Sequence, residues 1–523
     1  MMLNKLFRYS IVRLIQGSSL IKQCIKQGMG MDMAMDMATA RRIAKNSIYS
    51  LGFLLFIIKN SVAADVIVTP SIETKLEYTD NVKSVATNEQ SSAITYLIGG
   101  LAIDAKGNDG NLSLDYQLQQ LLYSYDSSEN ELFNKLKFEA NKGLFATTNL
   151  RGNLSAAISN LSRNIESNAD DDVSNGNTIE TRTAGGGLSY QSNPAGLFDF
   201  YGSVDATITN NQDGIGDNHS FTSKVDFEQG KDAKNVFWSS IDRYELTQGT
   251  STDNDTKSTE SENEIGWRTE SGLSPLIHSY YEDYEGQSSS DSEDSASIGP
   301  GVRYYVEHGS YIEVGYDFTL KSDDSNSWRA KAHWTPSPRT ALDLDYKQRF
   351  YGDAYSLSFT HTQRRLTNTI SYTESVSNYN RSLYIEGNKI DQLSLTKTLS
   401  WESQLVFKRS TANLKITSDK KQSMSNVSSD TDVETYGVEL SLDHNLTRHT
   451  ILSPGFLWKY YKFYNEDAIS QEDYYRKWDL ELSHKLTREL SLTFDVSHED
   501  RSSTLNSAAY KENRVSINVR KEF

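Results

Sequence analysis

Apolar and polar residues alternate with a period of two in segment after segment beyond residue 65. The pattern is clearest at 312–320, 478–483 and 490–497, and it already begins at 72–78. Successive side chains of a β-strand point to opposite faces, so each segment has one apolar and one polar face. No stretch after residue 65 approaches 18 apolar residues, so transmembrane helices are not expected there. The pattern predicts an all-β protein.

Segment and connection lengths predict how the strands assemble. The segments run about 10–13 residues, which suits a tilted strand that crosses a bilayer. Connections alternate between short (107–110, 231–234, 308–310, 486–489) and long (163–177, 247–260, 286–294, 419–431). Short periplasmic turns that alternate with long outer loops predict a large transmembrane antiparallel up-and-down β-barrel. A soluble β-sandwich is the alternative, since it shows the same alternation.

The strand count follows from the same alternation. About 24 strands are expected, within a range of 20–24, and both chain ends of the barrel should be periplasmic. The predicted strands begin near 71, 92, 112, 132, 150, 179, 198, 220, 236, 261, 275, 296, 311, 326, 340, 354, 366, 389, 403, 433, 450, 474, 489 and 510.

A weak internal repeat predicts three equivalent turns. LSWE at 399–402, LTRH at 446–449 and LTRE at 486–489 each precede an alternating segment. We interpret the repeat as repeated architecture and not as a binding motif.

Residues 1–64 differ from the rest and predict an N-terminal extension with a signal peptide. Arg41, Arg42 and Lys45 precede an apolar run at 48–58, and small residues follow up to Ala63 and Ala64. A basic segment, a short apolar run and a small-residue end are typical of secretion signals. Cleavage is expected near Ala63 or Ala64, and residues 65–523 form the predicted barrel. The run is too short for the alternative, a membrane anchor.

Charge and cysteine content narrow the possible functions. Residues 65–523 contain 44 basic and 68 acidic residues, a net charge of −24, which argues against nucleic acid as a partner. The single cysteine, Cys24, lies in the segment expected to be removed. The mature chain would then have no disulfide, no thiolate metal site and no thiol nucleophile.

The sequence predicts neither a catalytic nor a metal site, and no cofactor. No histidine stands at zinc-ligand spacing from another histidine or cysteine. His219 and Ser220 are adjacent, but neighbours in a strand face opposite ways. Acidic stretches at 168–172, 252–255 and 288–294 are expected to be solvated loops, with a divalent-cation surface as the alternative.

One region resembles a known family. It contains WTPSPRT at 334–340, RFYGD at 349–353 and YSLSF at 355–359, followed by His361, Arg364 and Arg365; YTDN at 78–81 is similar to the start of such barrels. The region resembles the outer-membrane β-barrels associated with PEP-CTERM/exosortase systems. The resemblance implies the outer membrane of a Gram-negative bacterium and a link to exopolysaccharide export, but no activity and no catalytic residues.

Three further expectations concern individual side chains. Arg349, Arg364 and Arg365 lie near predicted strand ends and could form a basic cluster in the lumen for anionic sugars, or pair with lumen acids such as Asp343 and Asp345. Phe523 is expected to act as the assembly signal, with outer-membrane lipid and the barrel-assembly machinery as partners. The tryptophans nearest strand ends are expected in an interfacial girdle, with sugar stacking as the alternative: Trp238, Trp267, Trp328, Trp334, Trp401 and Trp478.

Three functional hypotheses follow. A round barrel of this size would be roughly 45–50 Å across, and side chains alone could not fill its lumen. Because the first strand is expected to begin soon after the cleavage site, no N-terminal plug is expected. The leading hypothesis is a porin-like conduit or scaffold for exopolysaccharide or a similar polymer. The alternatives are an adhesion barrel that acts through its long acidic loops and, third, an outer-membrane hydrolase.

Overall fold

The computed structural model describes residues 65–523 except 146–148, 163–172, 177, 194, 250–254, 286–292, 307–308, 322–324, 378–393, 424–431 and 466–467. The predicted N-terminal extension and signal peptide, residues 1–64, lie outside the described residues. Within the described part of the chain, no helix has the length and apolarity to cross a membrane.

Twenty-four strands follow one another in the described chain. Their bounds are β1 Asp65–Thr79, β2 Ser92–Lys106, β3 Gly110–Tyr123, β4 Glu131–Gly143, β5 Leu150–Ser162, β6 Thr178–Gln191, β7 Phe198–Asn211, β8 Asn218–Gln229, β9 Val236–Gly249, β10 Thr256–Trp267, β11 Leu273–Glu285, β12 Glu293–Tyr305, β13 Tyr311–Lys321, β14 Ser327–Ser337, β15 Thr340–Arg349, β16 Gly352–Gln363, β17 Leu366–Ser377, β18 Ser394–Val406, β19 Ser410–Ser423, β20 Val433–Asn445, β21 Thr450–Asn465, β22 Ala468–Lys485, β23 Leu490–Ser503 and β24 Tyr510–Glu522.

The strands form one closed antiparallel sheet. Each strand pairs with the next along the chain, and β24 returns to pair with β1 from Ser71↔Glu522 to Thr79↔Arg514. The predicted up-and-down barrel of about 24 strands is therefore confirmed. A sandwich would need two separate sheets, so the single closed sheet rules it out.

The two ends of the barrel differ in the length of their connections. At the end where β1 starts and β24 stops, the connections have two to six residues, and at the other end they reach 16 residues. Short turns mark the periplasmic side of a transmembrane barrel and long loops its outer side.

The predicted turn at 399–402 is wrong. These residues lie in the middle of β18, where Leu399 pairs with Tyr372 and Trp401 with Ile370. The turn falls instead at 407–409, where the Phe407 amide donates to the Ser410 carbonyl at 2.7 Å. The strand expected near 403 accordingly begins at Ser410. The start expected near 389 lies outside the described residues, and β18 is described from Ser394. The other two members of the repeat, 446–449 and 486–489, are turns as predicted.

The outer face of the barrel is apolar. Val314, Phe494 and Ile517 stay between 42% and 47% exposed, although they stand in well-paired strands. Rows of exposed apolar side chains are stable only against lipid, so this face is the one that contacts the membrane. Five of the six tryptophans expected in the girdle are among the exposed large side chains. Trp238, the sixth, packs against Phe198 on the same face, with ring centroids 5.6 Å apart.

Candidate functional site

A dense group of charged side chains fills the inner faces of β10–β15. We call it the charged corner, and its residues alternate along their strands with lipid-facing ones such as Ile265, Ile277 and Val314. Its members are Glu260, Glu262, Glu264, His278, Glu282, Arg303, Glu313, Asp317, Arg329, Lys331, Asp345, Lys347 and Arg349.

Glu313 lies at the centre of the charged corner, between two arginines. Its carboxylate bonds Arg303 at 2.5 Å and also Arg329, and Arg303 bonds Glu264 in turn. The Arg329 and Glu313 side chains are only 1% and 0% exposed. Charges buried this deeply are tolerated only when they are paired and hydrogen-bonded.

Glycines make room for the Arg329 guanidinium. A Cβ at Gly315 would stand 2.7 Å from Arg329 Nη2, and one at Gly301 would stand 3.2 Å from it. A larger residue at Gly315 would therefore displace the guanidinium. Gly315 pairs with Arg329 in the sheet, so the Arg329 guanidinium extends toward the neighbouring strand at this glycine.

A histidine joins the acids of the charged corner. His278 Nδ1 is 3.1 Å from Asp317 Oδ2, and its Nε2 is 3.7 Å from Glu262 Oε1. The ring is fully buried. Its two nitrogens thus connect β11 with β13 on one side and with β10 on the other.

The barrel wall folds inward at the charged corner. Glu262 on β10 bonds Lys331 on β14, and its Oε2 is 2.6 Å from Nζ of Lys347 on β15. In a round 24-stranded barrel, strands five apart would be roughly 30 Å from each other. Each of these side chains reaches only about 6 Å from its Cα. The lumen is therefore narrowed here, and side chains fill part of it, contrary to the expectation for a round barrel.

A cavity of about 590 Å³ lies in the lumen beside the charged corner. Strands β8–β10 form one wall and β15–β17 the other. Its lining mixes bases, acids, hydroxyls and tyrosine rings: Thr222, Lys224, Arg243, Glu245, Ser258, Glu260, Glu262, Tyr284, Lys347, Arg349, Tyr351, Ser356 and Glu374 are among its residues.

The predicted basic cluster does not form. Arg349 lies in the charged corner, where its Nη2 is 2.8 Å from both Glu282 Oε2 and the Tyr284 hydroxyl. Arg364 and Arg365 form the β16–β17 turn at the opposite end of β16. That strand has 12 residues, so roughly 40 Å separates them from Arg349.

The alternative expectation is pairing with lumen acids such as Asp343 and Asp345. Arg349 does pair with a lumen acid, but that acid is Glu282 and not one of the two aspartates. Asp343 contacts His333 instead, with 2.6 Å between its Oδ1 and Nδ1 of the ring. Asp345 lies 3.7 Å from Lys331. Arg303 and Arg329, which sequence reasoning missed, stand at inward positions between apolar neighbours, so the alternation itself could have indicated them.

Loops fold into the outer mouth of the barrel. Val82 of the β1–β2 loop and Val173 of the β5–β6 loop pack on an inward apolar group that includes Tyr96, Leu121 and Phe133. Ser174 accepts a hydrogen bond from the Tyr123 hydroxyl at 2.9 Å and contacts Arg514 at 3.2 Å. The β5–β6 loop thereby bridges β3 and β24 across the inner surface. Within the same mouth, a Glu129 contact at 2.8 Å raises the pKa of Lys83.

The remaining sequence predictions concern metal binding and assembly. The acidic segments 168–172, 252–254 and 288–292 lie outside the described residues, so the cation surface stays a prediction. In the part of the chain that the structure describes, no three histidine, cysteine or acidic side chains gather as metal ligands. The Phe523 amide donates to the Pro70 carbonyl at 2.9 Å, and its ring is exposed. Its role as an assembly signal also stays a prediction.

One protein-family model matches the C-terminal part of the chain. The family model described as "Putative beta-barrel porin 2" matches residues 388–523, which contain β18–β24. No curated protein matches the chain.

The solved structures that match the chain have low sequence identity to it. The FrpB iron transporter from Neisseria meningitidis is 9% identical, with a TM-score of 0.43, over 87% of this chain and 81% of that chain. The siderophore receptor PirA from Acinetobacter baumannii is 9% identical, with a TM-score of 0.42, over 87% and 80%. A loop deletion mutant of OmpT, an outer membrane protein of Vibrio cholerae, is 10% identical, with a TM-score of 0.33, over 88% and 100%.

The closed sheet, its apolar outer face and the porin family match identify the protein as a porin-like β-barrel of the Gram-negative outer membrane.

Proposed function

We propose that the protein is a non-catalytic conduit for a polysaccharide, in which the cavity beside the charged corner is the narrow part of the path. The observation that carries the proposal is the mixed lining of this cavity by hydroxyls, tyrosine rings and charges of both signs. The resemblance of 334–365 to barrels of exopolysaccharide systems supports the choice of polymer.

The cavity lining suits sugars because sugar hydroxyls both donate and accept hydrogen bonds. Ser258 and Ser356 offer groups that do both, Lys347 and Arg349 donate, and Glu245 accepts. A permeant polymer must also leave each site, so many weak contacts suit it better than one strong one.

The pairing of the bases argues against a small anion as cargo. All four described bases that line the cavity are paired. Lys347 with Glu262, Arg349 with Glu282 and Lys224 with Asp226 lie within 2.8 Å, and Arg243 lies 3.4 Å from Glu260. A free anion would have to compete with these carboxylates. A polysaccharide rich in hydroxyls can bind the lining without displacing these carboxylates from the bases.

Planar-bilayer recording of the purified protein tests the proposal. We expect discrete conductance steps, and we expect exopolysaccharide fragments of the producing strain to reduce the current, whereas dextran of equal length has a weaker effect. The two polymers should differ because the exopolysaccharide makes specific contacts with the cavity lining, whereas an effect of bulk viscosity would be the same for both.

Absence of conductance, both in the wild type and in a variant that lacks residues 163–172, would contradict the conduit. The adhesion hypothesis predicts that result, together with loss of surface binding when residues 163–172 and the β9–β10 connection, 250–255, are removed. Conductance that both polymers block equally would contradict only the choice of cargo.

A further inference from the structure

A group of polar side chains occupies the lipid-facing side of β9–β10. Asp242 pairs in register with Ser261, and Ser240 pairs with Asn263. We call these four residues the lipid-facing polar cluster.

The register of β9 and β10 establishes which way the cluster faces. Trp267 and Ile265 share its side of β10 and are 55% and 56% exposed on the apolar surface. The residues between the cluster positions, Ile241 and Glu262, line the lumen cavity. The cluster therefore faces away from the lumen.

The cluster lies near the middle of the membrane. Asp242 is six residues from Val236, where β9 begins, and Ser261 is six residues from Trp267, where β10 ends. A strand tilted by about 45° climbs roughly 2.3 Å per residue, so these side chains stand about 14 Å above the periplasmic edge of an apolar band about 25 Å tall.

Hydrogen bonds hold the four side chains in fixed positions. Ser261 Oγ donates to Asp242 at 2.6 Å, and Asn263 Nδ2 donates to Ser261 Oγ at 3.0 Å. Ser240 Oγ lies 3.0 Å from Asp242 and 2.7 Å from Asn263 Oδ1. Among the described contacts, one of the two Asn263 N–H groups is used, and the Asp242 carboxylate can accept more bonds than it receives.

Hydrocarbon cannot supply the missing partners. Lipid tails neither donate nor accept hydrogen bonds, and an acidic group at this depth is costly. Nothing in the lumen explains the cluster, because it is on the opposite face of the sheet. Its partner must therefore lie within the membrane beside β9–β10.

We propose that the lipid-facing polar cluster is the contact between two copies of this chain. A second copy related by a twofold axis brings the same groups, so Asn263 of each copy can donate to Asp242 of the other. This complementarity places an N–H between the two carboxylates, which would otherwise repel. Apolar side chains on the same face, among them Trp238 and Ile277, form the rim of the contact. The inference is independent of what passes through the lumen.

Cysteine cross-linking in the membrane tests the contact. Ser279 pairs with Asn263 on the lipid side, so Ser279→Cys places a thiol beside the cluster. Leu442→Cys, an exposed lipid-facing position on β20, is the matched control. Because Cys24 lies in the segment predicted to be removed, each variant would carry one thiol. We expect a dimer-sized product from Ser279→Cys and none from Leu442→Cys.

Substitution of the aspartate separates association from folding. In the Ser279→Cys background, Asp242→Leu should reduce cross-linking about tenfold, whereas Asp242→Asn, which keeps a hydrogen-bonding group, should retain most of it. Leucine suits a lipid face, so the barrel should still fold, as judged by its heat-sensitive migration on gels. Monomer from Ser279→Cys, a product of another size, or cross-linking unaffected by Asp242→Leu in folded protein would each overturn the proposal.

Discussion

Replacing Arg329 with methionine lowers the free energy of unfolding of the barrel by about 3–5 kcal/mol, because it leaves the buried carboxylate of Glu313 with only one of its two arginine partners. Arg329 is 1% exposed and bonds Glu313, which is fully buried between Arg329 and Arg303. Methionine fills much of the volume but provides no donor. Urea unfolding in phospholipid vesicles, followed by tryptophan fluorescence, measures the loss.

A second arginine of the lumen provides the matched control. Arg243 is 55% exposed and lies 3.4 Å from Glu260. Solvent screens such a pair, so Arg243→Met should change the free energy of unfolding by less than about 1 kcal/mol. Equal losses in the two variants would mean that burial of the ion pairs does not stabilise the charged corner.

Replacing Glu262 with alanine should widen the path and change its ion selectivity. Glu262 connects β10 with Lys331 on β14 and Lys347 on β15. Its removal breaks both contacts and leaves each lysine only a longer one, Lys331 with Asp345 at 3.7 Å and Lys347 with Glu260 at 3.9 Å. We expect conductance to rise on the order of twofold and selectivity to shift toward anions, both measured in planar bilayers with a salt gradient.

The variant Glu262→Gln separates the effect of the Glu262 charge from the effect of the distance between β10 and β14–β15. Glutamine keeps the length of the side chain and can still accept from one lysine, so selectivity should shift while the conductance changes less than in Glu262→Ala. Wild-type conductance and selectivity in both variants would show that the inward fold of the wall does not limit the current.

The barrel itself could be predicted because each strand carries the signal locally. Alternation such as that of Ile312, Glu313 and Val314 predicts both that the segment is a strand and which side chains face the lumen. The order of the strands in an up-and-down barrel then follows because each strand pairs with the next along the chain. The turn at 407–409 was missed because alternation alone does not fix where a strand ends. Ser400 and Glu402 are polar because their side chains face the lumen from β18, and not because they belong to a turn.

The charged corner could be predicted only in part. The inward facing of Glu313 and Arg329 follows from alternation, but the contact of Glu262 with Lys347 depends on how sharply the wall curves across five strands. That curvature involves side-chain packing over Gly315 and its neighbours. The alternation of residues within one strand does not predict such packing. The proximity of Arg349 to Arg364 along the chain was misleading, because a whole strand separates them.

Single-channel recording of Ser258→Cys before and after a negatively charged thiol reagent tests the conduit most directly. Ser258 lines the lumen cavity, and Leu357→Cys places a control thiol on the lipid-facing side of β16. If ions pass through the cavity, modification should lower the current of Ser258→Cys by about a third or more and leave that of Leu357→Cys unchanged. An unchanged current in a fully modified Ser258→Cys barrel would contradict a path through this cavity.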